Sequence, residues 1–142
     1  RFFTVYGPWG RPDMAVYKFT KNILEKKKIT LYNNGKFKRD FTYIDDVVES
    51  IERLIKIKTN YSTTVLNIGG SKSYLVLDLI KIIEKNLNLK ANIIKKRSRG
   101  EMKATRANVN RLVKLIKFKP TTNLKKGLNE FIGWYLGFKS KK

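Results

Sequence analysis

Arg1-Phe2-Phe3-Thr4-Val5-Tyr6-Gly7-Pro8-Trp9-Gly10-Arg11-Pro12-Asp13-Met14 is the stretch that decides the fold. Residues 1–6 read as a buried strand that breaks into a Tyr6-Gly7-Pro8 turn. A loop stiffened by Gly10 and Pro12 follows and carries one arginine, Arg11. Pro12-Asp13 is a helix start signal and predicts a helix over 14–27. A chain whose first residue is an Arg inside a strand is expected to be part of a longer protein.

Working outward, 29–32 and 37–42 read as short strands flanking Asn33-Asn34-Gly35-Lys36, where Asn34-Gly35 tolerates positive φ and predicts a tight turn. A second informative block follows, Arg39-Asp40-Phe41-Thr42-Tyr43-Ile44-Asp45-Asp46-Val47. Asp45 is expected to cap a helix running to about residue 58, with Val47, Val48, Ile51, Leu54 and Ile55 on one apolar face. Residues 64–68 read as a strand ended by Gly69-Gly70. Ser73 is placed to cap a helix over 76–87 that turns Leu77, Ile80, Ile83 and Leu87 inward. A strand over 91–94 leads into a basic loop over 95–103. Helices over 109–118 and 124–138 are separated by Pro120, and the tail from Lys139 is expected to fray. No repeat or low-complexity linker interrupts the pattern, which predicts a mixed α/β architecture.

The chain has 142 residues, the size of one ordinary domain, with 42% hydrophobic residues to supply a core. No apolar run approaches the roughly 20 residues that span a bilayer. Cys and His are both absent. That excludes disulfides, thiolate nucleophiles, Cys-ligated zinc and histidine general bases, and is compatible with a reducing cytosol. A net charge of +21 suggests a polyanion partner. Lysines outnumber arginines 24 to 8, however, and are scattered along the chain. Specific phosphate and base readers favour the arginine fork, so the excess reads as solvated surface charge.

The dinucleotide fingerprint Gly-x-Gly-x-x-Gly does not occur, and Gly7-x-x-Gly10 has the wrong spacing for a phosphate cradle. Tyr-x-x-x-Lys, which sets a phenol one helical turn from an ammonium that lowers its pKa, occurs at Tyr17–Lys21, Tyr32–Lys36 and Tyr135–Lys139. With this many lysines such pairs arise by chance, and none is assigned a catalytic role. Asp45 and Asp46 read as helix-start residues favoured by the dipole and not as an acid/base pair.

The two blocks together resemble the NAD-dependent epimerase/dehydratase family of extended short-chain dehydrogenases, in particular its UDP-glucuronate 4-epimerases. The resemblance runs from residue 1 to about 138. It implies an α/β fold: the C-terminal substrate-binding domain of such an enzyme, with one leftover Rossmann strand at the N-terminus. Residues 1–8 would end the NAD-binding domain, 9–138 would bind the nucleotide sugar, and 139–142 would be a frayed basic tail. The parent reaction converts UDP-glucuronate to UDP-galacturonate by transient oxidation at C4 with NAD. The parent would be a homodimer through its N-terminal half, and the catalytic Tyr and Lys would lie outside this chain. The fragment alone is expected to be inactive and to bind neither NAD nor a metal.

The family's pattern also implies residue roles. Thr4 stands where many relatives have a sugar-contacting Asn, and is implied to touch the uronate carboxylate together with Arg11. Tyr6 and Pro8 would lie against the nicotinamide side of the site. Arg39 would bind the diphosphate, and Tyr32 would meet the uracil ring, largely through backbone. In Arg97-Ser98-Arg99-Gly100-Glu101 the family's Arg- or Gln-Pro-Gly-Asp pattern is altered, so either Arg97 or Arg99 would reach the diphosphate beside Glu101. Other readings stay open: a noncatalytic nucleotide-sugar binding module, part of a related dehydratase or decarboxylase, and a basic nucleic-acid binder.

Overall fold

The computed structural model describes residues 1–58, 62–100 and 102–140. The first strand, β1 (Thr4–Tyr6), leads into helix α1 (Ala15–Leu24) and strand β2 (Lys28–Tyr32). A short 3₁₀ turn (Asn33–Gly35) connects to β3 (Lys38–Tyr43), which runs directly into α2 (Ile44–Ile55). β4 (Ser73–Leu75), α3 (Val76–Leu87), β5 (Asn92–Lys96), α4 (Asn110–Ile116) and α5 (Leu124–Ser140) complete the described elements.

The strands form two separate sheets. β3 is the central strand of the first, parallel to β1 and antiparallel to β4, while β2 and β5 form a parallel pair. The Asn-Gly turn takes positive φ at Asn33, Asn34 and Gly35, as its composition predicts. It does not fold a hairpin, because β2 and β3 leave it for different sheets. Beyond β1, Phe2 pairs in parallel with Ile68 as an isolated bridge, and the strand expected over 64–68 is otherwise not formed.

Alternation along β1 and β3 divides the interior in two. Tyr6, Phe41 and Tyr43 turn toward the larger core, built with Ile23, Ile29, Leu79, Ile83, Leu128 and Phe131 from the helices and β2. Phe3 and Val5 turn the other way, onto a smaller cluster of Val47, Ile68, Ala107, Val109, Leu112 and Ile116. One sheet thus holds two cores, and α5 closes the larger.

Several local expectations are corrected. Asp45 does not cap α2: the N-cap is Tyr43, without a side-chain bond, and Asp45 is exposed in the first turn. Asp46 is the buried carboxylate, and its Oδ2 accepts the Thr122 amide at 2.9 Å. The apolar face expected on α2 is only partly used, since Val48, Ile51 and Ile55 are exposed. Ser73 lies in β4 and caps nothing; its hydroxyl donates to the Thr105 carbonyl at 2.6 Å. Lys139 and Ser140 belong to α5 where fraying was expected, with the Lys139 ammonium 3.0 Å from Glu25. Residues 141 and 142 lie outside the described residues. Among the described residues no helix is long and apolar enough to cross a membrane.

Candidate functional site

Strand register brings Thr4 and Arg39 onto one face of the first sheet. Thr4 pairs with Phe41, and residues paired across a parallel ladder point the same way. Arg39 lies two residues before Phe41 and so shares that face. Thr4 is half-buried, and its hydroxyl has no hydrogen-bond partner among the described residues.

Arg39 is held by its surroundings. Its Nη1 donates to the Lys38 carbonyl at 2.9 Å and to the Met102 carbonyl at 2.8 Å. The guanidinium also lies over the Phe37 ring, 5.4 Å from its centroid. One cation therefore ties the start of β3 to the segment after the 97–100 loop. Fixing a guanidinium before an anion arrives lowers the entropy lost on binding.

Arg11 sits on the loop after β1. Gly7, at φ +145, opens that loop where a Cβ would collide with the Ile44 side chain. Gly10 N donates to the Gly7 carbonyl at 3.1 Å, closing the turn. Trp9 projects from it, 77% exposed and in contact with Trp134 and Phe138, with ring centroids 5.4 Å away in each case. The Arg11 fork is already occupied: Nε and Nη2 donate to the two carboxylate oxygens of Asp13 at 3.1 and 2.5 Å. The pairing raises the Arg11 pKa and lowers that of Asp13. A substrate carboxylate at Arg11 would displace Asp13, and the exposure of both groups makes that exchange easy.

A separate group of expected residues gathers at the carboxyl ends of the parallel pair β2 and β5. Tyr32 and Lys96 are register partners at those ends. Asn33 then locks the two following loops together, donating from Nδ2 to the Ser98 carbonyl and accepting the Ser98 amide at Oδ1. A hollow of about 480 Å³ opens there, lined by Asn33, Asn34, Lys95, Lys96 and Arg97. Open α/β sheets bind ligands beyond the carboxyl ends of parallel strands, and this hollow has that position. The sequence reading missed Asn33, Lys95 and Lys96; the only signal was a basic run after an expected strand. Arg99 is exposed on the same loop, outside the hollow's lining, and Glu101 lies outside the described residues.

Of the two expected cofactor contacts, Tyr6 turns its side chain into the protein. The Tyr6 ring is buried in the larger core, 3% exposed, edge-on to Phe41 and Tyr43. Burial pushes its pKa well above the ordinary value. Its side chain therefore faces α5, which leaves the Tyr6 backbone to line a ligand, while Pro8 is partly exposed. Of the Tyr-x-x-x-Lys tyrosines, Tyr17 and Tyr135 serve packing, while Tyr32 is exposed. Tyr17 lies edge-on to Tyr135 at 5.1 Å, and burial raises the Tyr135 pKa to about 12, opposite to what a phenolic acid/base needs. Among the described residues no cluster of carboxylates could hold a metal.

Residues 1–69 match the model of the NAD dependent epimerase/dehydratase family. The chain is 40% identical to Protein CapI of Staphylococcus aureus over 159 residues, covering 99% of this chain and 47% of that protein. It is 42% identical to UDP-glucuronate 4-epimerase 4 of Arabidopsis thaliana, covering 99% of this chain and 36% of that protein. Among solved structures it matches the UDP-glucuronic acid 4-epimerase of Bacillus cereus in complex with UDP-glucuronic acid and NAD. That match has a TM-score of 0.90 and 37% identity, over 97% of this chain and 44% of the other. MoeE5 in complex with UDP-glucuronic acid and NAD gives a TM-score of 0.91 at 29% identity, over 97% of this chain and 46% of that one. The chain thus spans about half the length, or less, of the relatives it matches, and its α/β arrangement is that of the corresponding part of their fold. Over residues 1–69, and in the fold of nearly the whole chain, the likeness is to the NAD-dependent epimerase/dehydratase family.

Proposed function

We propose that the chain is the C-terminal, substrate-binding part of a nucleotide-sugar epimerase whose whole-protein reaction interconverts UDP-glucuronate and UDP-galacturonate with NAD. In this reading residues 1–8 end the dinucleotide-binding domain and residues 9–138 grip the UDP-sugar. The whole enzyme is then a cytoplasmic homodimer that supplies uronic acid precursors for polysaccharide. One observation carries the reading: the chain follows, at 37% identity and a TM-score of 0.90, a protein solved with UDP-glucuronic acid and NAD. The geometry is compatible. The hollow beside Tyr32 and Arg97 suits a uridine, Arg39 suits a diphosphate, and Thr4 and Arg11 suit the carboxylate of the sugar.

In this reading NAD is held by residues of the whole enzyme outside this chain. The Gly7–Gly10 turn is closed on itself, and the Tyr6 ring is packed away from solvent. The residues of this chain bind and orient, and hydride chemistry belongs to NAD held by groups that they do not supply.

Calorimetric titration of the purified chain tests the proposal. UDP and UDP-glucuronate should bind weakly and saturably, UDP-glucuronate more tightly than UDP-glucose, with no epimerisation on adding NAD. Turnover by the 142-residue chain would overturn the claim that it is the binding part alone. Indifference to every UDP compound would overturn the site.

A further inference from the structure

Positive charge is unevenly distributed along the chain: residues 85–142 hold 17 of the 32 lysines and arginines but only two of the 11 acids. Part of that excess surrounds a second hollow, which shares no lining residue with the one at the ends of β2 and β5. It measures about 630 Å³ and lies between α4 and the turn after Ile68, with Ser71, Arg106, Asn108, Lys114 and Lys119 in its wall. A smaller hollow shares Lys114 and adds Arg111, whose Nη2 donates to the Thr64 hydroxyl at 3.3 Å.

Two features of the larger hollow point to an anion. The first is an anchored fork: Arg106 Nε donates to the Ser71 carbonyl at 2.9 Å, which fixes the guanidinium and leaves its two amino groups without a described partner. The second is the absence of compensation, since neither Lys114 nor Lys119 forms an ion pair among the described residues. The nearby carboxylate, Asp40, is fully buried behind the wall and taken by the amides of Gly70 and Ala107 at 2.8 Å each.

We propose that this hollow is an oxyanion site for a phosphate-class ligand, distinct from the nucleotide-sugar groove. A small, highly charged ion fits better than a nucleic-acid strand, because no aromatic ring lines the wall and base stacking would have no platform. Arg106 and Lys114 supply the charge, and the Asn108 amide supplies a neutral hydrogen bond.

The test is a titration of the intact chain with inorganic phosphate at fixed ionic strength, followed through amide chemical shifts. Fixed ionic strength matters because a chain of charge +21 attracts any anion diffusely. Saturable shifts at Ser71, Asn108, Val109 and Asn110 are expected. They should survive Arg39→Ala and excess UDP, and weaken about tenfold or more in Arg106→Ala/Lys114→Ala. Lys114→Ala/Lys119→Ala changes only exposed side chains and gives the same reading if the first pair fails to fold. Linear shifts spread over all basic surfaces would overturn the site, as would saturation confined to Asn33 and Arg97. Tight binding of an oligothymidylate without a saturable phosphate response would overturn it in favour of a strand-binding surface.

Discussion

The Tyr6 hydroxyl lies directly against the α-carbon of Gly127, so closely that a methyl group at position 127 would overlap the phenol oxygen. The same hydroxyl is buried without a hydrogen-bond partner among the described residues. The contact joins β1 to α5 and explains why a glycine is tolerated inside a helix, where it otherwise weakens the structure. Gly127→Ala should therefore destabilise the chain by about 1–3 kcal/mol through overpacking, despite its better helix propensity. Tyr6→Phe should be close to neutral, because it removes an unsatisfied polar group. In the double variant part of the Gly127→Ala loss should be recovered, because the Tyr6 ring carbon and Tyr43 still crowd the new methyl group. Urea denaturation of the four proteins measures this coupling.

Asp40 organises the junction between the two cores. Its carboxylate accepts the amides of Gly70 and Ala107, residues 30 and 67 positions away, from a fully buried position. Asp40→Asn keeps the shape but sets an NH₂ group against at least one of those amides. A loss of about 1.5–3 kcal/mol is expected, typical for hydrogen bonds to a charged group. A chemical-denaturation midpoint unchanged from the parent chain would show that the junction is held by other contacts.

Helix α3 was legible in its bounds because its apolar spacing is regular, and β1 because β-branched and aromatic residues end in Gly-Pro. Ser73 was misread since its nearest use in sequence is a cap, while its actual acceptor is the Thr105 carbonyl, 32 residues on. The parallel pairing of β2 with β5 leaves no local trace, because register across about 64 residues is set by tertiary packing. The site divides in the same way. Thr4 and Arg39 could be named from their motifs, but only the register of β1 on β3 puts them on one face. That Asp13 occupies the Arg11 fork depends on the loop's backbone path. That the Tyr6 ring turns inward depends on α5, more than 100 residues later.

Arg39 and Arg11 should separate affinity from sugar discrimination. Arg39→Ala removes a guanidinium already oriented by the Lys38 and Met102 carbonyls. It should weaken UDP and UDP-glucuronate alike, about tenfold to a hundredfold. Arg11→Ala should leave UDP binding unchanged and narrow the preference for UDP-glucuronate over UDP-glucose. Asp13→Ala should widen that preference by freeing the Arg11 fork. Calorimetry with the three ligands distinguishes the two roles, and an equal loss for UDP in both arginine variants would contradict them.

The end of α5 is tied to the end of α1 by a carboxylate between two cations. Glu25 lies 2.9 Å from Lys27 and 3.0 Å from Lys139, and those hydrogen bonds lower its pKa to about 2 from an ordinary 4.5. With the folded value depressed, the unfolded chain binds the extra proton first as pH falls. The contribution of Glu25 is complete above pH 4.5, shrinks between 4.5 and about 2, and is gone below. Glu25→Gln should lower the melting temperature at neutral pH and flatten its fall across that acid window. Added salt should reduce the neutral-pH difference, since all three groups are in reach of solvent. A Glu25→Gln variant whose melting temperature falls as steeply as the parent's between pH 4.5 and 2 would show that Lys139 does not hold α5 through this carboxylate.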